Sequence, residues 1–231
     1  GNIDSMVAHY TVAKKPRSGD SYSPGGKAGK RPDRATIVYC NRIREAYGDV
    51  PIIVGGIEAS LRRFAHYDYW EDRVRRPILM DSSANLLIYG MGERILAEAA
   101  HALNDGFDIS QLTWLDGTAY LAKSTEGLID FEACPSYKEV CASREAYARS
   151  VVIQYGAHDP VRGKTLVQEC AGRFLVQNKP SMPLARAELD RVFSLPFKRE
   201  IHPMYRRQGG VPAIDEVQFS ITSSRGCFGN C

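Results

Sequence analysis

Two cysteines near the end of the sequence have the most distinctive chemistry in the chain. Cys227 and Cys231 are separated by three residues, and Gly226 and Gly229 lie beside them. Thiolates bind iron–sulfur clusters and zinc, and glycines let a backbone curl closely around a bulky inorganic core. Two thiolates complete neither kind of site, so a third cysteine is expected beyond residue 231. A redox-active dithiol is the other interpretation that the pair leaves open.

A strand-like run at residues 216–222 precedes these cysteines, and we expect it to form a strand that holds their loop rigid.

A second candidate site is Gly55-Gly56, directly after the continuously apolar run 50–54. Such a run predicts a strand buried on both faces of a parallel sheet, and open α/β sheets bind ligands at the carboxyl ends of their strands. The glycine pair is not a GxGxxG fingerprint, and a tight strand-to-helix turn explains it equally well.

Cations and aromatic residues alternate around Arg62, Arg63 and Arg73, and residues 14–34 form a polar loop rich in lysine, arginine and glycine. Such a mixture suits phosphates and stacked bases, so these residues are a candidate nucleic-acid site. Nearby carboxylates balance the charge. A packed interface between elements is therefore the favoured interpretation, and the basic loop is expected to run over the surface.

One histidine–aspartate pair has the residue types of an acid–base pair. His158 and Asp159 precede a proline, where a turn that uses Asp159 to bond the backbone is favoured. No arrangement of serine or cysteine with histidine indicates a hydrolase.

The composition is that of a globular protein, with 44% hydrophobic and 25% charged residues. A net charge of +3 is too small to indicate a nucleic-acid or membrane partner by itself. No apolar run approaches the roughly 18–20 residues that a membrane span needs.

The six cysteines are irregularly spaced, and no secretion signal is present, so a reducing cytoplasm is expected. Four of the six cysteines are expected to behave as small hydrophobic residues, namely Cys40, Cys134, Cys141 and Cys170.

The elements that must position these residues indicate an α/β protein. A helix is predicted from about residue 33 to residue 47, a second buried strand at 84–90, and an amphipathic helix at 93–103. Alternation of helices with buried strands is typical of a layered fold with a parallel sheet. After residue 106, strands and a capped helix at 143–155 are expected. A hairpin is expected at 164–177.

Three regions follow from this pattern. Residues 1–110 are predicted to form an α/β region that is truncated at its N-terminus. Residues 111–212 are predicted to be an α+β extension and connector, and residues 213–231 the start of a further domain with the cysteine loop. Because the chain begins without methionine and ends inside the cysteine motif, it is interpreted as a piece of a longer protein.

Essentially the whole sequence resembles the YgiQ family of radical S-adenosylmethionine (SAM) proteins. The terminal motif resembles the start of the CxxxCxxC motif of radical SAM proteins. The matching stretches are residues 1–7, 25–35, 53–70, 159–168 and 220–231. The resemblance implies a Rossmann-like region, similar to cobalamin-binding domains, that leads into the first strand of a partial β/α barrel.

The same resemblance implies the chemistry. Three cysteines would hold a [4Fe-4S] cluster, of which Cys227 and Cys231 would be the first two ligands. The cluster would bind S-adenosylmethionine, take an electron from a donor and cleave the sulfonium to start radical chemistry on an unknown substrate. Cobalamin is not expected, because the chain has no DxHxxG signature. Without the third cysteine this chain alone is expected to be inactive. The alternative from another class is a non-catalytic module that binds a ligand or nucleic acid.

Overall fold

A computed structural model describes residues 3–221 and Arg225, and a six-stranded sheet is its central feature. The strands in the order of the sheet are β1 (Ile53–Val54), β4 (Leu86–Ile88), β5 (Thr118–Ala122), β8 (Arg173–Gln177), β7 (Thr165–Cys170) and β6 (Phe131–Cys134). Two further strands form a separate antiparallel hairpin, β2 (His66–Asp68) and β3 (Arg73–Arg75).

Helices precede, follow and connect these strands. The α-helices are α1 (Ser5–His9), α2 (Ala35–Tyr47), α3 (Ile57–Leu61), α4 (Ile78–Asp81), α5 (Glu93–Asn104), α6 (Tyr137–Ala142), α7 (Arg144–Gly156), α8 (Arg186–Phe193) and α9 (Ile214–Val217). Short 3-10 helices lie at Pro24–Gly26, Ile109–Gln111 and Pro203–Gln208. In the described part of the chain no helix has the length and apolar character needed to cross a membrane.

The α/β class is confirmed, but the expectation of a parallel sheet holds only at its two ends. β1 pairs in parallel with β4, and β6 pairs in parallel with β7. The three central pairs are antiparallel. One cause is the short Ala171-Gly172 turn between β7 and β8, since a connection of two residues joins only antiparallel strands. The other is the segment after α5, which returns to the end of β4, where the Tyr89 amide donates to the Gly117 carbonyl (2.9 Å).

β4 is buried on both faces, which explains its continuously apolar sequence. Leu86 and Ile88 pack against α5 in one cluster, with Ile95, Ala99 and Ala102. Leu87 faces the opposite cluster, which also contains side chains from β1, β5, β7 and β8. Because β5 pairs with β4, one sheet holds strands from both sides of residue 110. The division at residues 110 and 212 stays a prediction.

The predicted helices form where capping and periodicity indicated. The Asp4 carboxylate accepts hydrogen bonds from the amides of Met6 (2.9 Å) and Val7 (3.3 Å) at the start of α1. Ser143 caps α7 in the same way. The helix predicted at 33–47 forms as α2, with Ala35 and Cys40 buried and Ile43 and Tyr47 exposed.

The strand predicted at residues 216–222 is wrong for its described residues. Glu216 and Val217 belong to the helix α9, and Gln218 also has helical dihedral angles. Val217, Phe219 and Ile221 are 56%, 80% and 91% exposed. The described chain places no strand beside this run, and an apolar face without a partner gains nothing from an extended conformation. Thr222 lies outside the described residues.

Candidate ligand-binding cleft

An open cleft of about 440 Å³ lies at the carboxyl ends of β1 and β4. The register of the two parallel strands pairs Ile53 with Leu86 and Val54 with Leu87, so both strands end at the same edge of the sheet. The loops that follow them form the walls. The lining residues are Ile53, Val54, Gly55, Gly56, Ile88, Gly90, Met91, Gly92, Glu93, Leu96 and Arg225. This is the edge at which open α/β sheets bind ligands.

Glycines in both loops lie close to Ile88, the last residue of β4. A Cβ atom on Gly92 would lie 2.8 Å from Cγ2 of Ile88, and one on Gly55 would lie 3.2 Å from the Ile88 carbonyl oxygen. Gly90 has φ +72°, a conformation that residues with side chains rarely adopt. Sequence reasoning identified Gly55 and Gly56 but missed the second loop. The sequence signal for the second loop is Gly90 and Gly92, which closely follow the second buried strand.

Charged groups meet at the rim of the cleft. Nη1 of Arg225 forms an ion pair with Oε1 of Glu93, the first residue of α5. The Arg225 guanidinium also lies over the ring of Phe193, 5.5 Å from its centroid. The second carboxylate oxygen of Glu93 is buried and has no hydrogen-bond partner among the described residues. The rim therefore has nearly balanced local charge, and the unpaired oxygen of Glu93 is enclosed by protein rather than open to the cleft.

A second cavity, of about 540 Å³, lies on the other side of Gly55. Its wall includes Glu58, whose buried carboxylate accepts hydrogen bonds from the amides of Ser5 (2.7 Å) and Thr36 (3.0 Å). Both oxygens of Glu58 hold the N-terminal segment and α2 in place. The burial of the Glu58 carboxylate is therefore explained by its structural role, because both of its oxygens are paired with backbone amides.

The three arginines proposed for nucleic acid do not form one surface. Arg62 is buried and pairs with Asp4. Arg63 is partly buried and donates to Oε1 of Gln177 (2.5 Å), and burial lowers the pKa of its guanidinium. The exposed Arg73 pairs with Glu71 (2.5 Å). The interpretation as packing between elements is therefore correct for Arg62 and Arg63.

The remaining polar candidates are held by local structure. Oδ1 of Asp159 accepts from the amides of Val161 (2.7 Å) and Arg162 (3.0 Å), which confirms the turn interpretation. His158 contacts the guanidinium of Arg63, and burial together with that charge lowers its imidazole pKa.

The basic loop is mostly exposed but is anchored by one buried carboxylate. Asp20 accepts two hydrogen bonds from Arg31 (2.8 and 2.9 Å) and one from the Ser23 hydroxyl (2.6 Å). Burial raises the pKa of Asp20, but the hydrogen bonds from Arg31 and Ser23 outweigh it and hold that pKa below its usual value. The arginine at position 31 is thus already paired within the loop.

Cys227 and Cys231 lie outside the described residues. The described cysteines are unbonded, with Cys40, Cys134 and Cys170 buried and Cys141 exposed. Burial raises the pKa of the Cys134 thiol to about 12 and that of Cys170 to about 11. Three of the four therefore behave as small hydrophobic residues as predicted. Within residues 3–221 and Arg225, no cluster of three or more histidine, cysteine or acidic residues could hold a metal ion.

Comparison with known proteins decides the family. A family model described as radical SAM N-terminal matches residues 1–220. The chain belongs to the radical SAM N-terminal family. A UPF0313 protein of Clostridium perfringens strain 13 is 58% identical over 232 residues, which cover 100% of this chain and 35% of that protein. A UPF0313 protein of Clostridium botulinum strain ATCC 19397 is 57% identical over 231 residues, covering 100% of the chain and 36% of that protein.

The radical SAM N-terminal chain thus spans about a third of the length of the curated relatives that it matches. These relatives confirm the resemblance to the YgiQ family. No solved structure matches the chain significantly.

Proposed function

We propose that this chain forms the N-terminal α/β part of a cytoplasmic radical SAM enzyme. The observation that carries the proposal is the family match, which extends over residues 1–220. Cys227 and Cys231 would be the first two ligands of a [4Fe-4S] cluster, and a third cysteine would follow in the longer protein. When bound, the cluster supplies the electron that cleaves S-adenosylmethionine.

The residue type of the two expected ligands agrees with an iron–sulfur cluster. Iron–sulfur clusters are held by cysteine thiolates, which two cysteines at this spacing can provide. The described residues add no competing metal site. Arg225, two residues before Cys227, pairs with Glu93 at the rim of the cleft. The chain's own part in the function would be to anchor the start of the cysteine motif at this edge of the sheet.

The chain by itself is expected to be inactive, because the third cluster ligand lies in the longer protein. The expected partners are S-adenosylmethionine, one substrate and an electron donor.

Anaerobic reconstitution of the full-length protein with iron and sulfide tests the proposal. The reduced protein should give an EPR signal of a [4Fe-4S] cluster that changes when S-adenosylmethionine is added. Cys227→Ala should abolish the signal, whereas Cys141→Ala, a change at an exposed cysteine, should preserve it. A cluster signal that ignores S-adenosylmethionine, or one that survives Cys227→Ala, would contradict the proposal.

A non-catalytic ligand-binding module is the second candidate function. The glycine-lined cleft favours it, because that cleft is formed by residues 53–96 and Arg225 and needs no cluster. Ligand binding by a full-length protein that never assembles a cluster would support this candidate over the first.

A further inference from the structure

We propose that two basic segments, residues 14–34 and 198–213, form one surface that binds single-stranded nucleic acid. The phosphodiester backbone would lie on the exposed cations, and an unpaired base would stack on Tyr22. The inference goes beyond the proposed function, because this surface contains no cysteine and its binding requires no cluster. The sequence patterns pointed only to the first of the two segments.

The two segments lie far apart in sequence and meet through their backbones. The Gly25 amide donates to the Gly210 carbonyl (2.8 Å), and the Ala213 amide donates to the Ser21 carbonyl (2.9 Å). The contact is close, since a Cβ atom on Gly25 would lie 2.9 Å from the Gln208 carbonyl oxygen. The two segments therefore form one continuous surface across this seam.

Positive charge is concentrated in these two segments. Together they contain 11 lysines and arginines and 3 carboxylates, a net charge of +8. The whole chain has 30 such cations and 27 carboxylates, so the remaining residues have 19 and 24, a net charge of −5. The small total of +3 thus combines a strongly basic part with an acidic remainder. Local clustering of this kind attracts a polyanion even where the total charge is small.

Several of these cations are available to a ligand. Six are exposed and form no ion pair or side-chain hydrogen bond with the described residues, and they are Lys15, Lys27, Lys30, Lys198, Arg199 and Arg207. Arg31 is in contrast already held by Asp20. Lys27 lies at the seam itself, because its Cε atom would be 3.8 Å from a Cβ atom on Gly25. Solvated cations of this kind can each contact a phosphate and release a counterion from it.

The second cavity, of about 540 Å³, adjoins this surface and is lined by tyrosines. Tyr22 and Tyr39 lie in its wall and are 42% and 48% exposed. Ile201 and Val211 of the second segment line the same cavity. The guanidinium of Arg31 lies 5.6 Å from the centroid of the Tyr22 ring. Aromatic rings beside a cationic surface are the arrangement on which proteins stack the bases of single strands.

The combination of charge and rings favours nucleic acid over other anionic partners. A bilayer surface is nearly flat, so rings that line a cavity cannot insert into it. An acidic peptide would pair with the cations through its carboxylates and leave the tyrosine rings unused. A polymer with one phosphate and one planar base in each unit uses both features. In a duplex the bases are already stacked on each other, so the single strand is the form that fits.

Fluorescence anisotropy of the full-length protein with labelled oligonucleotides of about 12 nucleotides tests the inference. The probes are single-stranded RNA, single-stranded DNA and the duplex of the same sequence. A single strand should bind more tightly than the duplex, and its affinity should fall at least about tenfold between about 50 and 200 mM salt. No binding at the lower salt concentration, or tighter binding of the duplex, would overturn the proposal. Displacement of the strand by phosphatidylglycerol vesicles or polyglutamate at equal charge concentration would also overturn it.

Matched double variants locate the backbone contacts. Lys27→Gln with Arg207→Gln removes one exposed cation from each side of the seam, and Lys123→Gln with Arg162→Gln removes the same two residue types at exposed positions elsewhere. Both double variants change the net charge equally. The first should weaken binding at least about tenfold and lower the slope of log Kd against log salt by about 1–1.5, and the second should change neither. Equal binding by the two double variants would overturn the proposal.

A matched pair at Tyr22 tests the stacking. Tyr22→Leu removes the ring and should weaken binding at least about fivefold, whereas Tyr22→Phe keeps the ring and should bind like the wild type. Circular-dichroism melting checks that each variant is folded. Equal binding by folded Tyr22→Leu and Tyr22→Phe would overturn the assignment of the base. These measurements need neither the cluster nor S-adenosylmethionine, so their failure is distinct from a failure of the EPR test.

Discussion

Arg225 forms an ion pair with Glu93, 132 residues earlier in the chain. The contact joins the residue that precedes the cysteine motif to the first turn of α5. Both partners are partly exposed, with 25% and 32% of their side-chain surfaces accessible. Such a pair adds little to stability, and the contact places the Arg225 side chain at the rim of the cleft.

Breaking this pair should release the C-terminal segment without unfolding the sheet. We expect Arg225→Ala to change the free energy of unfolding by about 1 kcal/mol or less, as for other partly exposed ion pairs. Limited chymotrypsin digestion should nevertheless cleave faster at Phe219, which is 80% exposed. Arg225→Lys keeps the charge and should be cleaved more slowly than Arg225→Ala. Equal cleavage of the wild type and Arg225→Ala would show that the contact does not hold the segment.

The buried pair of Arg62 and Asp4 should behave in the opposite way. Asp4→Ala leaves the Arg62 guanidinium buried without its carboxylate and removes the N-cap of α1. Breaking a buried pair by removing one partner costs about 3–5 kcal/mol. Urea unfolding followed by circular dichroism measures this loss.

The matched control is Arg73→Ala, which removes an arginine from an exposed pair with Glu71. It should leave the urea midpoint close to that of the wild type. If Asp4→Ala also leaves the midpoint unchanged, Arg62 is not buried against Asp4 as described.

Asp20 should make part of the stability depend on pH. Its folded pKa lies below the usual value, so the ionised form stabilises the folded chain. That contribution is complete above the unfolded pKa and is lost as the pH falls through the depressed folded pKa. The groups that face this carboxylate are Arg31, Ser23 and His9, whose Nε2 lies 3.9 Å away.

The test compares wild type with Asp20→Asn in urea between pH 7 and pH 2. At neutral pH the variant should be less stable by about 1.5–3 kcal/mol, the range for hydrogen bonds to a charged group. The difference should shrink as the pH falls below about 4, because Asp20 is then protonated in the unfolded wild type and progressively in the folded one. A difference that stays constant to pH 2 would contradict the assignment.

Thiol reactivity should separate Cys141 from the other described cysteines. In a background with Cys227→Ser and Cys231→Ser, a disulfide reagent at pH 7.5 should label Cys141 rapidly, because it is exposed. Cys134 and Cys170 should react only after unfolding, since they are buried and their pKa values are raised to about 12 and about 11. Addition of Cys141→Ser should remove the fast phase. A fast phase that persists would show that a buried thiol becomes accessible in the native state.

Features set by local sequence were predictable. The apolar run of β4, the periodicity of α5 and the cap of α7 all depend on neighbouring residues, and each forms as expected. The Gly55-Gly56 loop was also recognised as a candidate site, because its position after a buried strand can be read directly.

Features set by distant partners were not predictable. The β7–β8 hairpin was expected from its short turn, but the antiparallel pairing of β5 with β4 and β8 was not. That pairing depends on where the segment after α5 returns, and the residues of this segment give no signal of it. The strand expected at 216–222 needs a neighbouring strand that the described chain does not provide. Glu93 and Arg225 are far apart in sequence, and neither has a motif that would reveal their contact. The cleft therefore became visible only in the folded chain.

The double-sided burial of β4 has a consequence for hydrogen exchange. Its residues pair with β1 on one edge and with β5 on the other, and both faces are covered. Backbone amides in such a strand exchange with solvent mainly when the whole sheet opens, whereas α8 and α9, which contain no buried residue, exchange through local opening. The floor of the cleft thus belongs to the slowest-exchanging part of the described chain, whereas the amides of α8 and α9 should be much less protected.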